Sequence, residues 1–87
     1  MQKLRPDMDI GKNLRKLRKQ KKLSQGDVSR KLQLMGCNVS RMTYSKMERN
    51  DYNIRISELI ALKIIFEADY VDFFEGLEEK FRKEANL

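Results

Sequence analysis

Hydrophobic residues recur at helical spacing along most of this chain, and each recurrence predicts a helix. Ile10, Leu14 and Leu17 share one face of a segment from about Asp9 to Lys21, while Lys12, Arg15, Lys16 and Lys19 mostly cover the rest. Ser24 stands where a second helix opens, because its hydroxyl can accept from the unpaired amides of a first turn; Val28, Leu32 and Met35 then mark an inward stripe. That helix is expected to run to Leu34 or Met35, with Gly36 breaking it and "GCN" re-aiming the chain. Ser40 caps a short third helix, about residues 41–49, whose Tyr44 and Met47 point inward. Arg41, Met42, Ser45, Lys46 and Arg49 are left outward or at its flanks.

"NDYNIRIS" reads as a loop, and Ser57 as the cap of a fourth helix. "ELIALKIIFEA" is apolar almost all the way round, which predicts the deepest burial of any helix in the chain. "YVDFFEGLEEKF" contributes Val71, Phe73, Phe74, Leu77 and Phe81 to a short fifth helix, and "RKEANL" is expected to fray. The pattern contains no internal repeat and no low-complexity linker. An all-α single domain over residues 1–87 follows, with its core at 9–77 and a helical extension or tail at 78–87.

Length sharpens this expectation. A chain of 87 residues buries only roughly 60–65% of its unfolded surface, so its core must be economical. With 37% charged residues and one proline it suits a helical domain better than a sheet or a disordered tail. No stretch approaches the ~20 apolar residues of a membrane span, and the start lacks the apolar core of a signal peptide, so a cytoplasmic location is expected. The single cysteine, Cys37, has no internal disulfide partner, and without histidine it joins no ordinary zinc site. It reads as a small buried or half-buried side chain, and no metal or cofactor is expected. Nor is an enzyme, since the chain has no histidine, no Gly-rich phosphate loop and no nucleophile with a base beside it.

The net charge of +6 is unevenly placed. Residues 1–49 hold fourteen Lys or Arg against four Asp or Glu, whereas residues 50–87 hold five against nine. One half is built to meet a polyanion: nucleic acid, anionic membrane or acidic protein. The first helix has too narrow an apolar face, and no interfacial aromatic, for a membrane surface. An exposed aromatic platform for single-stranded RNA is also missing.

"IGKNLRKLRKQKKLSQGDVSRKL", then "VSRMTYSKMERN", then "ISELIALKIIFEADYVDFF" resembles the phage-repressor and Cro-type (XRE-like) helix-turn-helix family of bacterial and phage transcriptional regulators. The resemblance covers about Ile10 to Phe74, and its most specific parts are "LSQ" and the "VSRxTxSKxE" register. It implies a compact five-helix domain that binds double-stranded DNA, most simply as a repressor. One departure stands out: "QLMGC" enlarges the turn between the second and third helices by about five residues.

The resemblance assigns base reading to the third helix, with Arg41, Met42 and Lys46 at the reading positions, Ser40 at its mouth, and Thr43 and Ser45 near the groove. Gln25 matches the family's phosphate-binding glutamine, and Lys19, Lys22, Arg49 and Asn50 become further phosphate contacts, or ordinary solvated charges. Arg18 and Glu48 fall where family members form a structural ion pair. A homodimer is implied, with an interface on the fourth helix and Tyr70, Phe73, Phe74 and Phe81, unless those side chains simply fill the core. The alternative is a protein-interaction module, such as an antitoxin or inhibitor on the same fold, with a regulatory protein partner.

Overall fold

A computed structural model of the chain describes residues 7–87; the first six positions of the expected domain lie outside the described residues. These form six helices and no strand: α1 Gly11–Gln20, α2 Gln25–Leu34, α3 Arg41–Glu48, α4 Ile56–Phe66, α5 Tyr70–Phe73 and α6 Leu77–Glu84. Their shared core holds Leu14 and Leu17 of α1, Val28 and Leu32 of α2, and Tyr44 and Met47 of α3. Ile10, Val39, Ile54, Leu59, Ala61, Leu62, Phe66 and Phe73 also belong to it. Phe66 and Phe73 meet as a tilted pair with ring centroids 6.3 Å apart, which ties α4 to α5.

The two serines cap as their positions predict. Ser24 Oγ accepts from Asp27 N at 3.0 Å while Asp27 Oδ2 accepts from Ser24 N at 2.9 Å, a reciprocal capping box. Ser40 Oγ accepts from Thr43 N at 3.1 Å. At the other ends, five of the six described helices close alike, α4 at Glu67 and α6 at Asn86 among them. Gly36 N donates to Gln33 O and Cys37 N to Leu32 O after α2, with Gly36 at φ +88°. Lys22 closes α1 at φ +57° and Asn50 closes α3 at φ +58°, each with the same pair of backbone bonds. The enlarged turn is thereby folded back on α2. Gln33 Nε2 donates to Val39 O, Val39 is buried, and Cys37 is half-buried against the core.

Several expectations need correction. Ser57 does not cap the fourth helix, which begins two positions earlier, after Arg55. The buried Glu58 closes that end by accepting from Arg55 N at 2.9 Å and from the Tyr52 hydroxyl at 3.1 Å. α4 is not apolar on a fully buried surface: Ile56, Ile60 and Ile64, at i, i+4 and i+8, form an exposed stripe, with Ile64 at 55%. Met35 leaves the inward stripe because α2 has already ended at Leu34. The short fifth helix ends at Phe73, and the extension after it is a separate helix, α6, parted from it at Gly76, whose φ of +80° no helix accommodates. Of the two forms expected for residues 78–87, a helical extension or a tail, the structure has the helix as far as Glu84, and α6 buries none of its residues.

Candidate nucleic-acid interface

Helix α3 divides cleanly into two faces. Tyr44 and Met47 are buried, while Arg41, Met42 (71% exposed), Lys46 and Arg49 are exposed and Thr43 and Ser45 half-buried between them. The exposed face therefore carries two arginines, a lysine and a flexible apolar side chain on eight helical residues and their cap. Arg49 reaches back along it to Ser45 Oγ at 3.3 Å, and Ser40 Oγ lies 3.0 Å from Thr43 Oγ1 at the helix mouth.

The start of α2 adjoins this face. A Cβ added at Gly26 would lie 3.8 Å from the Arg41 side chain, so the stem of Arg41 passes over the first turn of α2. No sequence pattern pointed to Gly26 in this place; only the packing of two helix starts brings it there. Unpaired amides at a helix start and the positive end of its dipole favour an anion. Exposed Lys22 lies just before that start, and exposed Lys19 near the end of α1. Asn50 is turned inward: its Oδ1 accepts from Ile10 N at 3.3 Å, so it joins the end of α3 to the start of α1.

Arg18 and Glu48 form a two-pronged pair behind the face. Arg18 Nε donates to Glu48 Oε2 at 2.6 Å and Nη2 to Oε1 at 3.1 Å, with side chains only 11% and 5% exposed. Arg18 Nη1 also donates to Leu23 O at 2.9 Å, and Gln25 Nε2 donates to Glu48 Oε1 at 3.0 Å. Hydrogen bonding to Glu48 holds the Arg18 guanidinium above its ordinary value against the opposing effect of burial. Burial pushes the Glu48 carboxyl up, but hydrogen bonding from Arg18, with the nearby Tyr44 hydroxyl and the bond from Gln25 adding a smaller effect, outweighs burial and leaves the group below its ordinary value. Tyr44 is raised by burial first and by Glu48 second. Its hydroxyl is close enough to feel both charges yet makes no hydrogen bond of normal geometry.

A feature that sequence reasoning missed lies at the far ends of α2 and α4. Leu34 (83% exposed), Met35, Ile64 and Ile65 line an open groove with Leu23, rimmed by Lys21, Lys31 and Glu67. Lys21 and Glu67 form an ion pair across that rim. The available signal was Leu34 itself, an apolar residue off the Val28 and Leu32 stripe.

A family model described as helix-turn-helix matches residues 14–66, more than half of the chain. No curated protein and no solved structure matches. The chain belongs to the helix-turn-helix family of the phage-repressor/Cro type, and is thus a DNA-binding helix-turn-helix regulator. Among the described residues no helix is long and apolar enough to cross a membrane, and no group of His, Cys, Asp or Glu has the makings of a metal site.

Proposed function

We propose that the chain is a single-domain, sequence-specific transcriptional regulator that represses by occupying its site, reading the major groove of double-stranded DNA with α3. The supporting observation is the division of α3 into a buried Tyr44 and Met47 face and an exposed Arg41, Met42 and Lys46 face. A major groove about 12 Å wide admits one helix, and side chains near its start reach the base edges. Arg41 donates twice to guanine O6 and N7, Lys46 donates to a base edge further along, and Met42 packs on a thymine methyl. Ser40, Thr43 and Ser45 flank the groove. Gln25, Lys19, Lys22 and Arg49 hold phosphates, which supply most of the affinity and none of the sequence reading, whereas Asn50 is turned toward Ile10.

One short helix reads few base pairs, so two copies on paired half-sites multiply the discrimination. In this reading they meet through the exposed stripe of α4 with Tyr70, Phe74 and Phe81; Phe73 is buried and takes no part. The groove between α2 and α4 favours a second reading, a protein-interaction module of the antitoxin or inhibitor kind. Selection of bound sequences from a random duplex pool separates the two. Enrichment of one motif supports the regulator, whereas tight capture of a protein with no enriched motif supports the module.

A further inference from the structure

We propose that Glu48 is a positioning residue for DNA binding: it orients the Gln25 side chain so that the second N–H of its amide faces the phosphate backbone. This rests on the reading of Gln25 as a phosphate contact. An ion pair needs only Arg18 and Glu48, yet here one carboxylate oxygen is shared between Arg18 Nη2 at 3.1 Å and Gln25 Nε2 at 3.0 Å. The buried pair therefore reaches from α1 and α3 to the first residue of α2.

The chemistry of the partner decides what Gln25 presents. A carboxylate only accepts, so the nitrogen end of the amide must face Glu48 and its carbonyl end must face away; a neutral partner would permit either orientation. An amide nitrogen carries two hydrogens. Glu48 takes one, and the other remains for an anion at the first residue of α2. A free glutamine has to be ordered when it binds, a cost equivalent to roughly tenfold in affinity, and the bond to Glu48 removes part of that cost beforehand. Arg18 matters here as well, because its two-pronged bond neutralises an anion that would otherwise repel the phosphate.

The test is a double-mutant cycle on the full chain, using its selected duplex and the variants Gln25→Ala, Glu48→Ala and both together. Each single change should weaken binding roughly three- to tenfold, and the pair no more than the larger single loss. Glu48→Met, which removes the acceptor and keeps the length of the side chain, serves in the same cycle if Glu48→Ala does not fold. Relaxation of the Gln25 side-chain amide nitrogen in the free protein gives a readout that overall stability does not move: ordered in the parent, mobile in either Glu48 variant. An equal loss from the Glu48 change with and without the Gln25 side chain would overturn the proposal while leaving the phosphate contact standing. Unchanged binding by Gln25→Ala would overturn both.

Discussion

A methyl group placed on Gly11 would lie 2.2 Å from the carbonyl oxygen of Glu48, so the start of α1 touches the end of α3 with no room for any side chain. The carbonyl of Met47 stands 3.0 Å from the same point. Gly→Ala in a helix ordinarily gains roughly 0.5–1 kcal/mol, but here the obstacle is backbone and cannot rotate away. Gly11→Ala is expected to cost about 1–3 kcal/mol, lowering the melting temperature by roughly 4–8 °C for each kcal/mol. Thermal unfolding checks it, and an unchanged or higher melting temperature would refute the close approach.

The Arg18–Glu48 pair should leave a mark on stability against pH. The Glu48 carboxyl sits below its ordinary 4.5 in the folded state, so its contribution is complete above that value and is lost as pH falls through the folded-state value. Arg18→Met strands a carboxylate that is 5% exposed, at a cost of about 3–5 kcal/mol near neutral pH. The difference between parent and variant should shrink on acidification, as protonation relieves the stranded charge. Urea midpoints between pH 7 and pH 3 measure this, and a constant difference would rule out the pair as its source.

Tyr44 offers a sharper test of the same cluster. Its buried hydroxyl has no hydrogen bond of normal geometry, and such a group costs about 1–3 kcal/mol to bury. Tyr44→Phe should therefore be neutral or stabilising by about 1 kcal/mol. A destabilisation larger than that would mean the hydroxyl is bonded to Glu48 in solution.

On DNA, Arg41→Ala should relax preference at one base position by about 1–3 kcal/mol, whereas Lys19→Ala should weaken every duplex evenly and reduce the salt slope by about 1. Competition among single-base variants of the selected site, at several salt concentrations, distinguishes them. Equal loss on all sequences for Arg41→Ala would remove it from the reading face.

The stripe of Ile56, Ile60 and Ile64 predicts the effect of a charge on α4. Ile64→Lys should change monomer stability by no more than about 0.5 kcal/mol and abolish self-association. Sedimentation equilibrium over a range of concentrations reads this. A variant that associates as strongly as its parent would place the interface elsewhere.

Local rules made much of the fold legible. Ser24 and Ser40 cap because the groups they satisfy lie within three residues, and Leu14, Leu17, Tyr44 and Met47 are buried because the helical period alone aligns them. Gly36 ends α2 for an equally local reason. What was not legible depended on partners distant in the chain. An apolar α4 looks wholly buried until one knows that none of the described residues covers Ile56, Ile60 and Ile64. Arg55 opens α4 in place of Ser57 because Glu58 also answers to Tyr52, and Gly11 is indispensable only through residues near position 48. In the candidate site, the exposure of Arg41, Met42 and Lys46 followed from the same period that buried Tyr44. The link from Glu48 to Gln25 did not, because it joins helices 23 residues apart in sequence.

The widened turn at residues 35–40 has a consequence for how such a chain tolerates change. Its fixed points are the Gly36 and Cys37 amides on one side and the buried Val39 on the other, and neither anchor belongs to the exposed face of α3. Only Asn38 lies between them, and it is exposed. Extra length inserted there would bulge into water at a modest entropic penalty that grows only logarithmically. Natural or engineered versions of this protein thus have a spot at which to graft a peptide tag or a new loop while the surrounding helices keep their places.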